Sequence, residues 1–181
     1  MTSSPAPVDI AQSQMPTPVD SKTFRNGMAR LAAGVNIVTS VGNDGWCGFT
    51  ASAVCSVTDE PPTLLVCMKK TAQSYHAIQS SRVLCVNTVA GLHEDLSMRF
   101  SGAGGAKDMG MRFSGADWTT LITGAPSLAD ATVSFDCLVV RNEEIGTHVV
   151  FFCEVVAIRE GENVEGLVYF GRKFHRVTQP A

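Results

Sequence analysis

Apolar residues recur at two different periods along the chain, and the switches between periods predict its elements. After Asp20-Ser21, which suits an N-cap, Phe24, Met28, Leu31 and Ala32 fall at helical spacing, and Gly34 can end the helix. Residues 35–41 are rich in β-branched side chains and predict a strand, stopped by the turn signal Gly42-Asn43-Asp44-Gly45. Residues 46–57 predict one further extended unit, ended by Asp59-Glu60-Pro61-Pro62. The short apolar runs 63–68 and 83–89 predict two more strands, with a short helix over 71–80 between them, capped by Thr71. Residues 93–100 predict another helix ending at Gly102, and the glycine-rich stretch 102–110 predicts a mobile excursion. After Pro126, the segments 133–140, 148–158 and 166–170 complete a strand-rich half. Many short strands with few helices argue for a mainly β domain, a barrel or a sandwich. Residues 1–20 hold Pro5, Pro7, Pro16 and Pro18 and no Lys or Arg, so they read as a flexible tail or an arm that docks on a partner subunit. Residues 21–181 read as one domain.

Composition narrows the function classes. The 181 residues are 45% hydrophobic and 17% charged, with a net charge of −3, which favours a globular chain and leaves no basic face for nucleic acid. No run of about 18 apolar residues predicts a membrane span, and the N-terminus lacks the basic and apolar regions of a secretory signal. The six cysteines form no C-x-x-C pair, and most sit inside apolar runs such as Leu65-Val66-Cys67-Met68. They read as reduced core thiols of a cytoplasmic protein.

Several kinds of chemistry are excluded by motif. Gly102, Gly104 and Gly105 approach a G-x-G-x-x-G pattern, but its third glycine position is Lys107, and no P-loop, H-E-x-x-H or G-x-S-x-G occurs. The four histidines, His76, His93, His148 and His175, are too scattered to suggest a metal site. The informative stretch runs from Gly48-Phe49-Thr50-Ala51-Ser52-Ala53 to Ser56 and on to Pro61-Pro62. Its small side chains let a flat ligand approach the backbone, and its hydroxyls can face a phosphate or polyol. The same pattern also suits a half-buried strand whose Ser and Thr alternate to solvent.

A resemblance favours the ligand. The segments Phe24-Arg25-Asn26-Gly27-Met28, Val35-Asn36-Ile37-Val38-Thr39, Leu84-Cys85-Val86-Asn87-Thr88, Gly146-Thr147-His148 and Gly166-Leu167-Val168-Tyr169-Phe170, in this order around the stretch above, are similar to the short-chain flavin reductase family. Its members are reductase components of two-component flavin-dependent monooxygenases. The resemblance covers roughly residues 22–177. It implies an FMN-binding split β-barrel, a homodimer, and reduction of FMN or FAD by NADH or NADPH, with reduced flavin passing to a separate oxygenase. It implies that Asn36 and the backbone of Thr50, Ala51, Ser52 and Ala53 line the isoalloxazine, with Ser56 nearby. Lys69 and Ser74 are candidates for the phosphate or its approach, since a cation and a hydroxyl at a helix start suit an anion, and Lys69 equally suits a solvated strand end. Asn87 suits either a ligand or a neighbouring turn. His148 alone suits a structural place at a strand entrance, and the resemblance moves it to the nicotinamide side as the catalytic residue. Tyr169 and Phe170 offer an aromatic wall, one of them turned into the core by strand alternation, and Arg172 suits either a nucleotide phosphate or a plain surface place. Two other uses of the fold, a pyridoxamine-phosphate-oxidase-like activity and a non-enzymatic flavin or haem module, fit less of the pattern. One departure stands out: relatives carry a Met-Glu-Glu-Arg-Phe-like helical segment where this chain has Met109-Gly110-Met111-Arg112-Phe113, and Gly110 weakens a helix there.

Overall fold

The computed structural model describes residues 16–102, 108–162 and 165–178. Most of the expected tail and the centre of the 102–110 excursion lie outside the described residues. In chain order the elements are α1 (Ser21–Met28), β1 (Ala33–Gly34), β2 (Asn36–Gly42), β3 (Gly45–Ala51), β4 (Val54–Asp59), β5 (Pro62–Lys69), α2 (Tyr75–Ser81) and β6 (Val83–Thr88). A 3₁₀ turn (Gly91–His93) leads into α3 (Glu94–Phe100), followed by α4 (Met109–Phe113), β7 (Trp118–Thr120), β8 (Pro126–Leu128), β9 (Val133–Ile145), β10 (His148–Glu160), β11 (Gly166–Phe170) and β12 (Lys173–Val177).

Seven strands form one antiparallel sheet in the order β3-β2-β6-β9-β10-β5-β4. The edge strands β3 and β4 stand at opposite ends of that order, yet only Ser52 and Ala53 separate them in the chain. Two linking residues reach only about 10 Å, so the sheet must roll until its edges meet. The result is the split barrel, and Ser52-Ala53 is its seam. The single extended unit expected over 46–57 is therefore two strands: pairing with β2 ends at Ala51, and pairing with β5 begins at Val54.

Alternation along β2 serves two cores. Val38 faces the barrel interior with Val66, Met68, Leu84, Val86, Val149 and Phe151. Val35 and Ile37 face outward onto Leu96, Phe100, Leu128 and Leu167, which close the second core beneath α3 and the β7–β8 hairpin. Burial on both faces explains a run of unbroken hydrophobicity where a half-exposed strand would alternate. Four cysteines are buried, Cys67 is half-buried and Cys55 is exposed; all six are free thiols. Burial pushes Cys85 and Cys153 each up to about 12, which makes them inert packing groups.

Helix α1 departs from expectation. Its apolar spacing predicts a buried face, but Phe24, Met28 and Leu31 are all exposed. Asp20 caps it, accepting from the amides of Lys22 and Thr23 and from the Thr23 hydroxyl at 2.8, 3.0 and 2.7 Å. Those three bonds hold its carboxyl below the ordinary value, the Thr23 hydroxyl contributing most. Helix α2 starts at Tyr75 instead of residue 71, with Ser74 at the cap position. Gly110 does not prevent α4: Asp108 accepts the Met111 amide at 2.8 Å, and Phe113 packs edge-on to Phe100 and Trp118.

Candidate active site

The seam opens into a cavity of about 580 Å³. Ser52 and Ala53 line it from the strand break, Arg25 and Met28 from α1, and Tyr169 and Arg172 from the β11–β12 hairpin. Both break residues are exposed, and both have side chains too small to cover the main chain. The Ala53 carbonyl accepts the Cys67 amide at 2.9 Å, which fixes the break against β5. Arg25 and Arg172 are the charged residues of the lining, and the lining holds no carboxylate. A flat ligand with an anionic end matches this slot: small residues and main chain on one side, an aromatic ring on another, two guanidinium groups for the anion.

The hairpin reaches the slot by direct ties to α1. The Gly171 amide donates to the Ala29 carbonyl at 2.7 Å, and Arg172 Nη2 donates to Asn26 Oδ1 at 2.8 Å. Gly171 and Arg172 both have positive φ, 59° and 63°, the two-residue turn whose twist matches antiparallel strands. Tyr169 packs on Phe174 with ring centroids 5.4 Å apart. The expectation that strand alternation buries one of Tyr169 and Phe170 does not hold, because both are exposed, at 37% and 44%. The hairpin end overhangs the second core, and Leu167 is the residue it buries.

Val54 and Cys55 also line a smaller apolar groove of about 280 Å³ on the other side of β4, with Asn36 and Ser56. Asn36 accepts the Thr88 hydroxyl at 2.8 Å, which orients its amide from beneath. Thr50, outside the slot lining, donates its hydroxyl to the Ser97 carbonyl at 2.5 Å, tying the end of β3 to α3, while Ala51 is buried in the barrel core.

Four further expected residues, Asn87, Ser74, Lys69 and His148, stand outside the slot lining. Asn87 is fully buried and is consumed by the fold: it accepts from the Leu128 amide and the Ser134 hydroxyl, both at 2.8 Å, and donates to the Ile37 carbonyl at 3.0 Å. These bonds run to β2, β8 and β9. Ser74 is buried and donates to the Gly48 carbonyl at 3.0 Å, so it supports β3 and does not meet solvent. Lys69 and His148 face each other in register across β5 and β10, and both are exposed. Lys69 lies two residues, roughly 7 Å, along β5 from Cys67, which holds the seam. The His148 turn is held firmly: Lys70 N–H donates to the Thr147 carbonyl at 3.0 Å, and Thr147 Oγ1 meets His148 Nδ1 at 2.9 Å. Glu144 braces the same turn through Lys70 at 2.8 Å and the Tyr75 hydroxyl at 3.2 Å. The Lys70 bond, foremost, holds the Glu144 carboxyl below its ordinary value and in turn raises Lys70.

Sequence reasoning passed over Arg25, Met28, Cys55 and Leu65, all of which line the slot. Arg25 lies three residues before Met28 on one helical face, a spacing that would have grouped them had α1 been read as a wall.

Residues 28–178 match the flavin reductase like domain family. The FMN reductase (NADH) RutF of Ancylobacter novellus is 50% identical over 160 residues, 88% of this chain and 87% of that protein. The solved structure of the flavin reductase PheA2 in its native state superposes with a TM-score of 0.79 at 31% identity, covering 89% of this chain and all of that one. The NADH:FAD oxidoreductase SgcE6 of Streptomyces globisporus C-1027, solved with NAD and FAD fragments, superposes with a TM-score of 0.80 at 26% identity, covering 93% of this chain and 99% of that one.

Proposed function

The chain belongs to the flavin reductase like domain family, and from that premise we propose that it transfers hydride from NADH to FMN or FAD and releases reduced flavin to a separate monooxygenase. The observation that carries this reading is the seam slot: a main-chain floor at Ser52-Ala53, the Tyr169 ring and two arginines with no carboxylate among them. Flavin and nicotinamide supply the redox chemistry, so the protein need only bind, orient and exclude water. The absence of a nucleophile motif is in keeping with that. Ser52, Ala53 and Asn36 are assigned to the flavin ring system, and Arg25 and Arg172 to its anionic end. His148, held at the end of β10 beside Lys69, is assigned to the nicotinamide side, where its ring can position the carboxamide. NADPH would serve as a weaker donor. The six free thiols fit a reducing cytoplasm.

Anaerobic mixing with NADH and FMN should bleach both the nicotinamide and the oxidised-flavin bands, and His148→Ala should slow that reduction about tenfold, the worth of one positioned hydrogen bond, with little change in flavin Kd. No bleaching with either nicotinamide would remove the enzyme reading and leave a flavin-binding module, and an unchanged His148→Ala rate would remove His148 from the site.

A homodimer belongs to the same proposal. Leu138 and Val140 on β9, Ile158 on the adjacent β10 and Val57 on β4, beyond β5, are between 43% and 56% exposed. Apolar patches of this kind on a small protein ordinarily meet a partner. Sedimentation at micromolar concentration should give twice the 19.3 kDa chain mass; a single chain would discard the dimer.

A further inference from the structure

Two thiols have no part in the chemistry above. Cys55 on β4 is exposed and Cys67 on β5 is half-buried, whereas the other four cysteines are buried. Pairing of β4 with β5 sets Val54 opposite Val66 and Cys55 opposite Leu65, so Cys67 stands one diagonal step from Cys55, two residues along β5. Val54 and Val66 turn into the barrel core. Strand alternation therefore puts Cys55, Leu65 and Cys67 together on the other face, and Cys55 and Leu65 line the seam slot. Diagonal neighbours of an antiparallel pair lie about 7–8 Å apart at Cα and closer at Cβ. An accessible thiol with a second thiol beside it is the arrangement found in redox-sensing pairs.

We propose that Cys55 and Cys67 form a peroxide-sensitive pair that shuts the flavin slot, peroxide converting Cys55 to a sulfenic acid that Cys67 then displaces as a disulfide. The inference rests on the flavin reductase reading for the source of its oxidant: reduced flavin released in air gives two electrons to oxygen and forms hydrogen peroxide. In the first step the Cys55 sulfur attacks one peroxide oxygen and the O–O bond breaks. The departing hydroxide takes up the thiol proton and leaves as water, and the sulfur has lost two electrons to the peroxide. In the second step the Cys67 sulfur attacks that of Cys55, the S–O bond breaks, and the hydroxide leaves as water with the Cys67 proton.

The surroundings assign the two roles. Burial, foremost, and then the neighbouring Cys55 push the Cys67 thiol up, so attack on peroxide falls to the exposed partner. The second of these causes also places the two sulfurs close enough to sense each other's charge. A disulfide needs its Cα atoms within about 6.8 Å, so the bridge must draw β4 toward β5. β4 can yield, because it is an edge strand whose register already shifts between Ser56 and Thr58. The Cys67 amide holds the Ala53 carbonyl at 2.9 Å, so a shift at Cys67 and Cys55 is passed to Ser52-Ala53, the floor of the slot.

Hydrogen peroxide added to the full chain, followed by peptide mapping without reductant, tests the pair. The parent should show positions 55 and 67 joined, and Cys67→Ser should instead hold a sulfenic acid at Cys55 that dimedone traps. Titration of FMN fluorescence, which needs no turnover, should give a Kd about tenfold weaker for the oxidised parent, restored by dithiothreitol. No joined peptide in the parent, or a joined peptide with an FMN Kd within about twofold of the reduced protein's, would overturn the proposal even in an active reductase. Dimedone on another cysteine of Cys67→Ser would overturn it as well. The joined pair and the weakened FMN binding in a protein that oxidises no nicotinamide would instead sink the reductase reading and leave the thiol pair standing.

Discussion

An Ala53→Trp protein should keep its fold and lose at least about 100-fold in kcat/KM for FMN, close to 2.7 kcal/mol of lost binding. Ala53 is exposed at the barrel seam, and its side chain lines the slot with Ser52, Tyr169 and Arg172. An indole there would occupy the space that a flat ring needs. The bond that fixes the break, from the Cys67 amide to the Ala53 carbonyl, is main-chain and survives the change. Melting should therefore move by no more than about 2 °C, as for most surface substitutions. Titration of flavin fluorescence together with a thermal melt separates the two effects. An FMN KM equal to that of the parent would show that the ring binds somewhere else.

Phe100→Ala should be the costliest single change to stability, at about 3–5 kcal/mol or a fall of roughly 10 °C in Tm. Phe100 is 1% exposed and anchors an aromatic cluster with Phe113 and Trp118 at centroid distances of 5.0 and 5.7 Å. It also presses on β3: a Cβ built at Gly48 would stand 2.8 Å from its ring, so glycine is what allows the contact. The helix that ends in Phe100 also carries Ser97, whose carbonyl accepts the Thr50 hydroxyl on β3 just before the seam. Loosening α3 should thus raise the FMN Kd as well as lower the Tm, and Phe100→Leu should recover part of both. A Tm drop under about 3 °C would mean that the cluster repacks around the gap.

Much of the fold was legible because burial imposes period. The runs at 63–68 and 83–89 are barrel strands close to their expected bounds, since strands covered on both faces leave little room for polar residues. The break at Ser52-Ala53 was hidden because it uses neither glycine nor proline; it is set by sheet closure, which depends on strand order and leaves no local mark. β12 was missed for a related reason. Lys173-Phe174-His175-Arg176-Val177 is mostly exposed, so only its pairing with β11 defines it. For the site, the dense small residues pointed to the floor of the slot. Its walls come from α1 and the last hairpin, and spacing within a segment says nothing about which distant segment will face it. Asn87 shows the opposite limit: a polar residue in an apolar strand signals a buried bond, and only the fold tells whether a ligand or a turn receives it.

The tie between Arg172 and Asn26 joins positions 146 residues apart in the chain. During synthesis the barrel strands leave the ribosome before the β11–β12 hairpin does, so a nascent chain whose sheet is made still lacks Tyr169 and Arg172 of the slot. Whatever stabilisation flavin gives by mass action is therefore withheld until that hairpin is in place. A chain cut short after β10 would be left without it, exposed to the cell's proteases.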